Sequence, residues 1–281
     1  MTDNFTARPA STAARTTPPG SLARGAAPSQ QSACWHLFLL TLKRQFFSRQ
    51  TLVALSLSAL SCVIIMAWSR HPDPDARKFA EQIVVPLYVV FLMPILAICY
   101  GSSVIGGERE DGTLIYLLMS PIPRPWVYTI KFLAGNVLVA GWSLSALLLM
   151  CLLGGASGRD VLPVFFSACL LGSIGYSGLF LGLGVLFRHG TIISLAYWFF
   201  LEVLFGNMPG IIKRVSVAYY VRCMVYDAGS AFDIGPRGRV ARETFLAISG
   251  QAAAQILSLG IAVLFLVGLV SFWRREFRDL N

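Results

Sequence analysis

Residues 51–68 read TLVALSLSALSCVIIMAW, eighteen positions without a charge, and apolar runs of this kind recur along the chain. About 20 predominantly apolar residues in a helix cross a ~30 Å hydrocarbon core. A backbone in hydrocarbon must also satisfy its own hydrogen bonds, which leaves a bundle of helices as the plain solution. Charge content agrees. Only 13% of the 281 residues are Asp, Glu, Lys or Arg, and 56% are hydrophobic; soluble domains carry about 25% charged residues. The expected fold class is an all-α, multi-pass membrane protein.

Six spans can be drawn, at about 51–68, 83–105, 127–154, 161–187, 191–205 and 245–272. The second contains Pro86 and Pro94, kinks that a membrane bundle tolerates where neighbouring helices satisfy the freed carbonyls. Pro125 and Trp126 suit the first turn and the interfacial level of the third. The Gly/Ser-rich stretch 155–159 separates the third from the fourth, and the fifth is short. Residues 34–49, CWHLFLLTLKRQFFSR, are too short to cross but carry apolar residues at helical spacing beside Lys43, Arg44 and Arg49. That pattern suits a helix lying in the interface, with a simple extension of the first span as the alternative. Residues 211–226, with Tyr219, Tyr220 and Tyr226 among basic residues, suggest a helix resting on the outer leaflet.

The first 33 residues are rich in Ala, Ser, Thr, Pro and Arg, with Asp3 the only acid. Such a segment builds no core and is expected to be a disordered tail, 1–33, ahead of a six-span domain, 34–281. Six basic residues fall before position 50, three between 106 and 131, one at Arg188 and three after Trp273. These thirteen lie on one side of the drawn topology and ten on the other. The excess in the early segments places both termini in the cytoplasm of a cell-membrane protein. It also accounts for the net charge of +9 through anionic lipid headgroups, without nucleic acid.

Against this apolar background one loop stands out. Residues 106–131, GGEREDGTLIYLLMSPIPRPWVYTIK, cluster Glu108, Glu110 and Asp111 in a chain with 14 acids in all. Charges are expensive in hydrocarbon, so the loop must leave the membrane. Asp111 or Thr113 is suited to cap a short helix over 114–119 whose apolar stripe is Leu114, Leu117 and Leu118. Pro121, Pro123 and Pro125 then end it. An apolar stripe behind an acidic start suits a groove on a partner, or equally the chain's own spans.

The string GEREDGTLIYLLMSPIPRPWVYTIK resembles the loop between spans two and three of type 2 ABC-transporter permeases. Glu108, Arg109, Glu110, Gly112, Thr113, Leu114, Leu117, Leu118, Ser120, Pro121, Arg124 and Lys131 carry the match. The interfacial helix, six spans and longer loop before the last span fit the same pattern. The resemblance implies a short cytoplasmic coupling helix that contacts a separate ABC ATPase subunit. Glu108, Arg109, Glu110, Asp111, Gly112, Thr113, Leu114, Leu117 and Leu118 would form the coupling element, with the acids on the partner's surface and Leu114 and Leu117 in its groove. It also implies a second permease copy, as homodimer or heterodimer, and export across the inner (plasma) membrane.

An absence in the sequence accords with that. A P-loop needs GxxxxGK[ST]. Lys43, Lys78, Lys131 and Lys213 are the only lysines; none follows a glycine, and none precedes Ser or Thr. ATP and Mg would therefore sit on the partner, and this chain is expected to have no cofactor, metal or catalytic residues of its own. The six cysteines and three histidines are scattered without ligand spacing. Two further features call for a place. Glu202 lies within the fifth apolar run, where a carboxylate is a functional candidate unless it reaches the interface or a cation such as Arg222. Gly178 and Gly182 in the glycine-rich fourth run allow close helix approach. Rival readings are a membrane scaffold or maturation factor that transports nothing, and an ion-coupled secondary transporter using Glu202.

Overall fold

The structure, a computed structural model, describes residues 30–70, 75–110, 112, 122–207, 212–235 and 248–274. The described residues form helices and short turns, with no strand among them. Among the described residues five helices are long and apolar enough to cross a membrane: α2 (Arg49–Trp68), α3 (Ala76–Glu110), α4 (Arg124–Leu153), α5 (Gly155–Leu186) and α8 (Gly250–Arg274). They are joined by α1 (Gln30–Phe46), the shorter apolar α6 (Gly190–Leu204) and α7 (Val217–Ala228). At 1.5 Å per residue α6 spans only about 22 Å, short of the hydrocarbon thickness.

Burial is inverted relative to a soluble bundle. On α2 the inward stripe is Thr51, Ala54, Ser58, Ser61 and Ile65, while Leu52, Val63 and Leu60 are exposed. Small inward residues let helices approach where lipid, not water, bathes the large ones. α3 is the longest of the described helices. It is wound π-helically over Phe79–Leu92 and Ile98–Ser102. Pro86 lies inside the first of these stretches, where the Met93 amide reaches back five residues to the Tyr88 carbonyl. Pro86 removes one amide from that ladder, as proline does in any helix.

α4 and α5 form the tightest hairpin. The turn expected at 155–159 is absent; residues 155–160 are already helical, and the chain reverses at Gly154–Gly155. Gly155 has φ +66°, a left-handed conformation in which a residue without Cβ makes the reversal in one step. α1 likewise takes in residues 30–33, assigned above to the tail; positions 1–29 lie outside the described residues. α8 starts at Gly250, and positions 245–247 of the drawn sixth span are also outside them.

α5 is central, touching α3, α4, α6, α7 and α8. The reading of 211–226 as a helix lying on the leaflet is corrected here. Val217, Tyr219, Val221, Arg222 and Cys223 of α7 are buried. Val221 and Val217 pack on the bare Cα positions of Gly172 and Gly175. Those glycines open a furrow on α5 that draws the helix in, which the composition of 211–226 alone does not reveal.

Candidate functional site

Helix α3 does not stop at its last apolar turn but carries on through Ser103–Glu110, taking the start of the charged loop into the helix. Glu108, on that final turn, faces inward. Its side chain is 14% exposed, with Oε2 at 2.5 Å from Lys131 Nζ and Oε1 at 3.3 Å from Arg44 Nη1. Lys131, two turns into α4, is fully buried, and its Nζ also donates to the Val104 carbonyl at 3.1 Å. One carboxylate therefore joins α1, α3 and α4. Removing either member of a buried pair strands the other, at about 3–5 kcal/mol.

One turn deeper, a second polar contact pins the α1–α2 elbow to α3. The Ser103 hydroxyl donates to the Cys99 carbonyl and lies 3.1 Å from Gln45 Oε1 and 3.0 Å from Gln50 Oε1. The Thr51 hydroxyl caps α1 by donating to the Phe46 carbonyl, and accepts from Tyr100 Oη at 3.0 Å. Ser48, in extended conformation, makes the corner. The loop end of the bundle is thus held by side chains from four helices, α1 to α4.

The other expected loop residues divide. Arg109 is half-buried on α3, Glu110 closes that helix, and Gly112 takes φ +67°, donating its amide to the Arg109 carbonyl at 3.2 Å. Asp111, Thr113, Leu114, Leu117 and Leu118 lie outside the described residues, and so does the short helix expected over 114–119.

Glu202 lies away from the loop, one turn beyond Trp198, whose Nε1 donates to the Val90 carbonyl of α3. It is 1% exposed and accepts from the Ser216 hydroxyl at 2.5 Å and from the backbone amides of Val217 and Ala218 at 2.9 and 3.3 Å. Those are the first amides of α7, which a helix otherwise leaves unsatisfied. A buried carboxylate aligned with a helix N-terminus is stabilised by the dipole as well. Two more carboxylates act alike nearby: Glu81 accepts from the Gly235 amide at 2.8 Å and Asp227 from the Gly250 amide at 3.0 Å. Arg77 completes a knot, donating to Glu81, Asp233 and the Gly235 carbonyl.

The close helix approaches fall away from the glycine pair singled out above. A Cβ at Gly182 would meet nothing within 4 Å, and one at Gly178 only the Phe132 ring at 3.5 Å. Gly184 instead abuts the Ser102 carbonyl, where a Cβ would come to 2.8 Å, and Gly101 abuts the Ser177 carbonyl at 3.2 Å. Spacing identifies a glycine-rich helix, but not which side its neighbour occupies.

Sequence reasoning missed the roles of Lys131 and Arg44. A signal existed: Lys131 is the one basic residue inside the third apolar run, and a buried cation calls for an acid within reach. Glu108 is the acid that the topology brings there.

Residues 19–277 match the profile of the family described as ABC-2 family transporter protein. A stretch of 113 residues is 34% identical to the "Probable ABC transporter permease protein NosY" of Pseudomonas aeruginosa. The aligned part is 38% of this chain and 36% of that protein, so the match spans about a third of the relative's length.

Proposed function

The chain belongs to the ABC-2 transporter family, and from that premise we propose that it is the membrane-spanning permease subunit of an ABC exporter. A separate ATPase subunit, carrying ATP and Mg, docks on the loop at 106–131. Two permease copies pair to line the path, with both termini on the ATPase side of the inner membrane and α6 serving as a short sixth span. ATP binding closes the ATPases and moves the loop, and α3 and α4 carry that motion into the bundle.

The observation that carries this reading is the charged loop itself. It joins two of the longest described helices, in a chain whose four lysines fit no P-loop. An ion-coupled mechanism through Glu202 has no comparable support, because its carboxylate is occupied by Ser216 and the start of α7. Co-expression with a candidate P-loop ATPase tests the proposal. The expected result is a stable complex whose ATP hydrolysis in lipid nanodiscs falls roughly tenfold on Leu114→Asp with Leu117→Asp, with membrane insertion intact. Failure of any P-loop ATPase to assemble with the chain would overturn it.

A further inference from the structure

The Glu108 cluster has an asymmetry that the docking role does not explain. On one side, Lys131 is fully buried and held a second time by the Val104 carbonyl. On the other, Arg44 reaches Glu108 at 3.3 Å with its side chain 45% exposed. Water and salt screen the second contact and scarcely touch the first. Glu108 also stands on the last turn of α3, two residues before the described helix ends and the loop begins.

We propose that Glu108 is a positioning residue rather than a docking charge. Its carboxylate is fixed to α4 through Lys131 and clasps α1 through a releasable arm, Arg44. Motion of the loop then reaches α3 and α4 as one body, and the Arg44 arm adds a screened polar link to α1, which also packs on α4 through Leu37. The elbow beyond α1 is pinned separately through Ser103, Gln45 and Thr51, so opening the arm loosens α1 without detaching it or α2. This rests on the proposed function for its purpose, but the clasp itself belongs to the chain alone.

Amide hydrogen exchange across residues 30–46, on the full chain in nanodiscs, reads the clasp without any partner. Arg44→Ala should speed α1 exchange roughly two- to fivefold at low salt, and Arg44→Lys should restore most of the protection. Raising salt should loosen α1 in the native chain and leave Arg44→Ala unchanged. Glu108→Gln should loosen α1 equally and additionally expose amides around Lys131. In the ATPase complex, Arg44→Ala should keep assembly but lower the permease's stimulation of ATP hydrolysis. Exchange of α1 indifferent to Arg44→Ala and to salt would overturn the clasp. Loss of the complex with the exchange effect intact would instead count against the proposed function.

Discussion

Carboxylates at the loop end of the bundle and away from it are held in different ways. Away from the loop, Glu81 of α3, Glu202 of α6 and Asp227 of α7 are each caught on backbone amides, those of Gly235, of Val217 and Ala218, and of Gly250, with Arg77 a second partner of Glu81. At the loop end Glu108 is caught between two cationic side chains, Lys131 and Arg44. Amides are fixed by the chain path, so those contacts can change only if helices or turns come apart. Side chains rotate, so the loop end can exchange partners while every helix stays whole. The difference marks the amide-held contacts as fasteners and the loop end as a joint.

The largest test of that contrast is Lys131→Met. It removes the buried partner of Glu108 and should cost about 3–5 kcal/mol of stability, seen as a lowered thermal transition in detergent. A small effect would mean that the buried arm does not carry the joint. Glu202→Ala comes next. It strands a hydroxyl and two helix-terminal amides and should cost about 2–4 kcal/mol, with hydrogen exchange rising in α7 but not in α1. Glu202→Gln should recover part of it by keeping one acceptor oxygen. Spread of the exchange effect to α1 would erase the distinction between the two regions. Smallest is a pair of glycine variants on α5. Gly184→Ala should destabilise by about 1–3 kcal/mol by pressing on the Ser102 carbonyl of α3, whereas Gly182→Ala, with open space around it, should be near neutral. Equal effects from the two would show that a contact outside the single chain governs Gly182.

Much of the architecture is legible in the sequence because membrane helices announce themselves through length and hydropathy. The runs at 51–68 and 127–154 land within three residues of α2 and α4. What was hidden depends on which face meets which neighbour. The glycines of α5 all look alike in sequence, yet Gly172 and Gly175 receive α7 while Gly182 receives nothing. The same holds for charge. Glu108 reads as one of three loop acids, and only the depth of Lys131 and the return of α1 turn it inward. Glu202 looked anomalous in an apolar run because its donors lie 14 to 16 positions away in sequence, past a segment whose path hydropathy does not give.

We propose that an ATPase subunit drives this bundle through the loop between α3 and α4. The most direct measurement is site-specific photo-crosslinking, with benzoylphenylalanine placed singly at 108, 114, 117 and, away from the loop, 232, in cells expressing the chain with a P-loop ATPase. The account predicts strong adducts to the ATPase from 114 and 117 and none from 232. From 108, where the side chain is turned inward, it predicts adducts within the chain. ATPase adducts from 232, or none from 114 and 117 in an assembled complex, would contradict it.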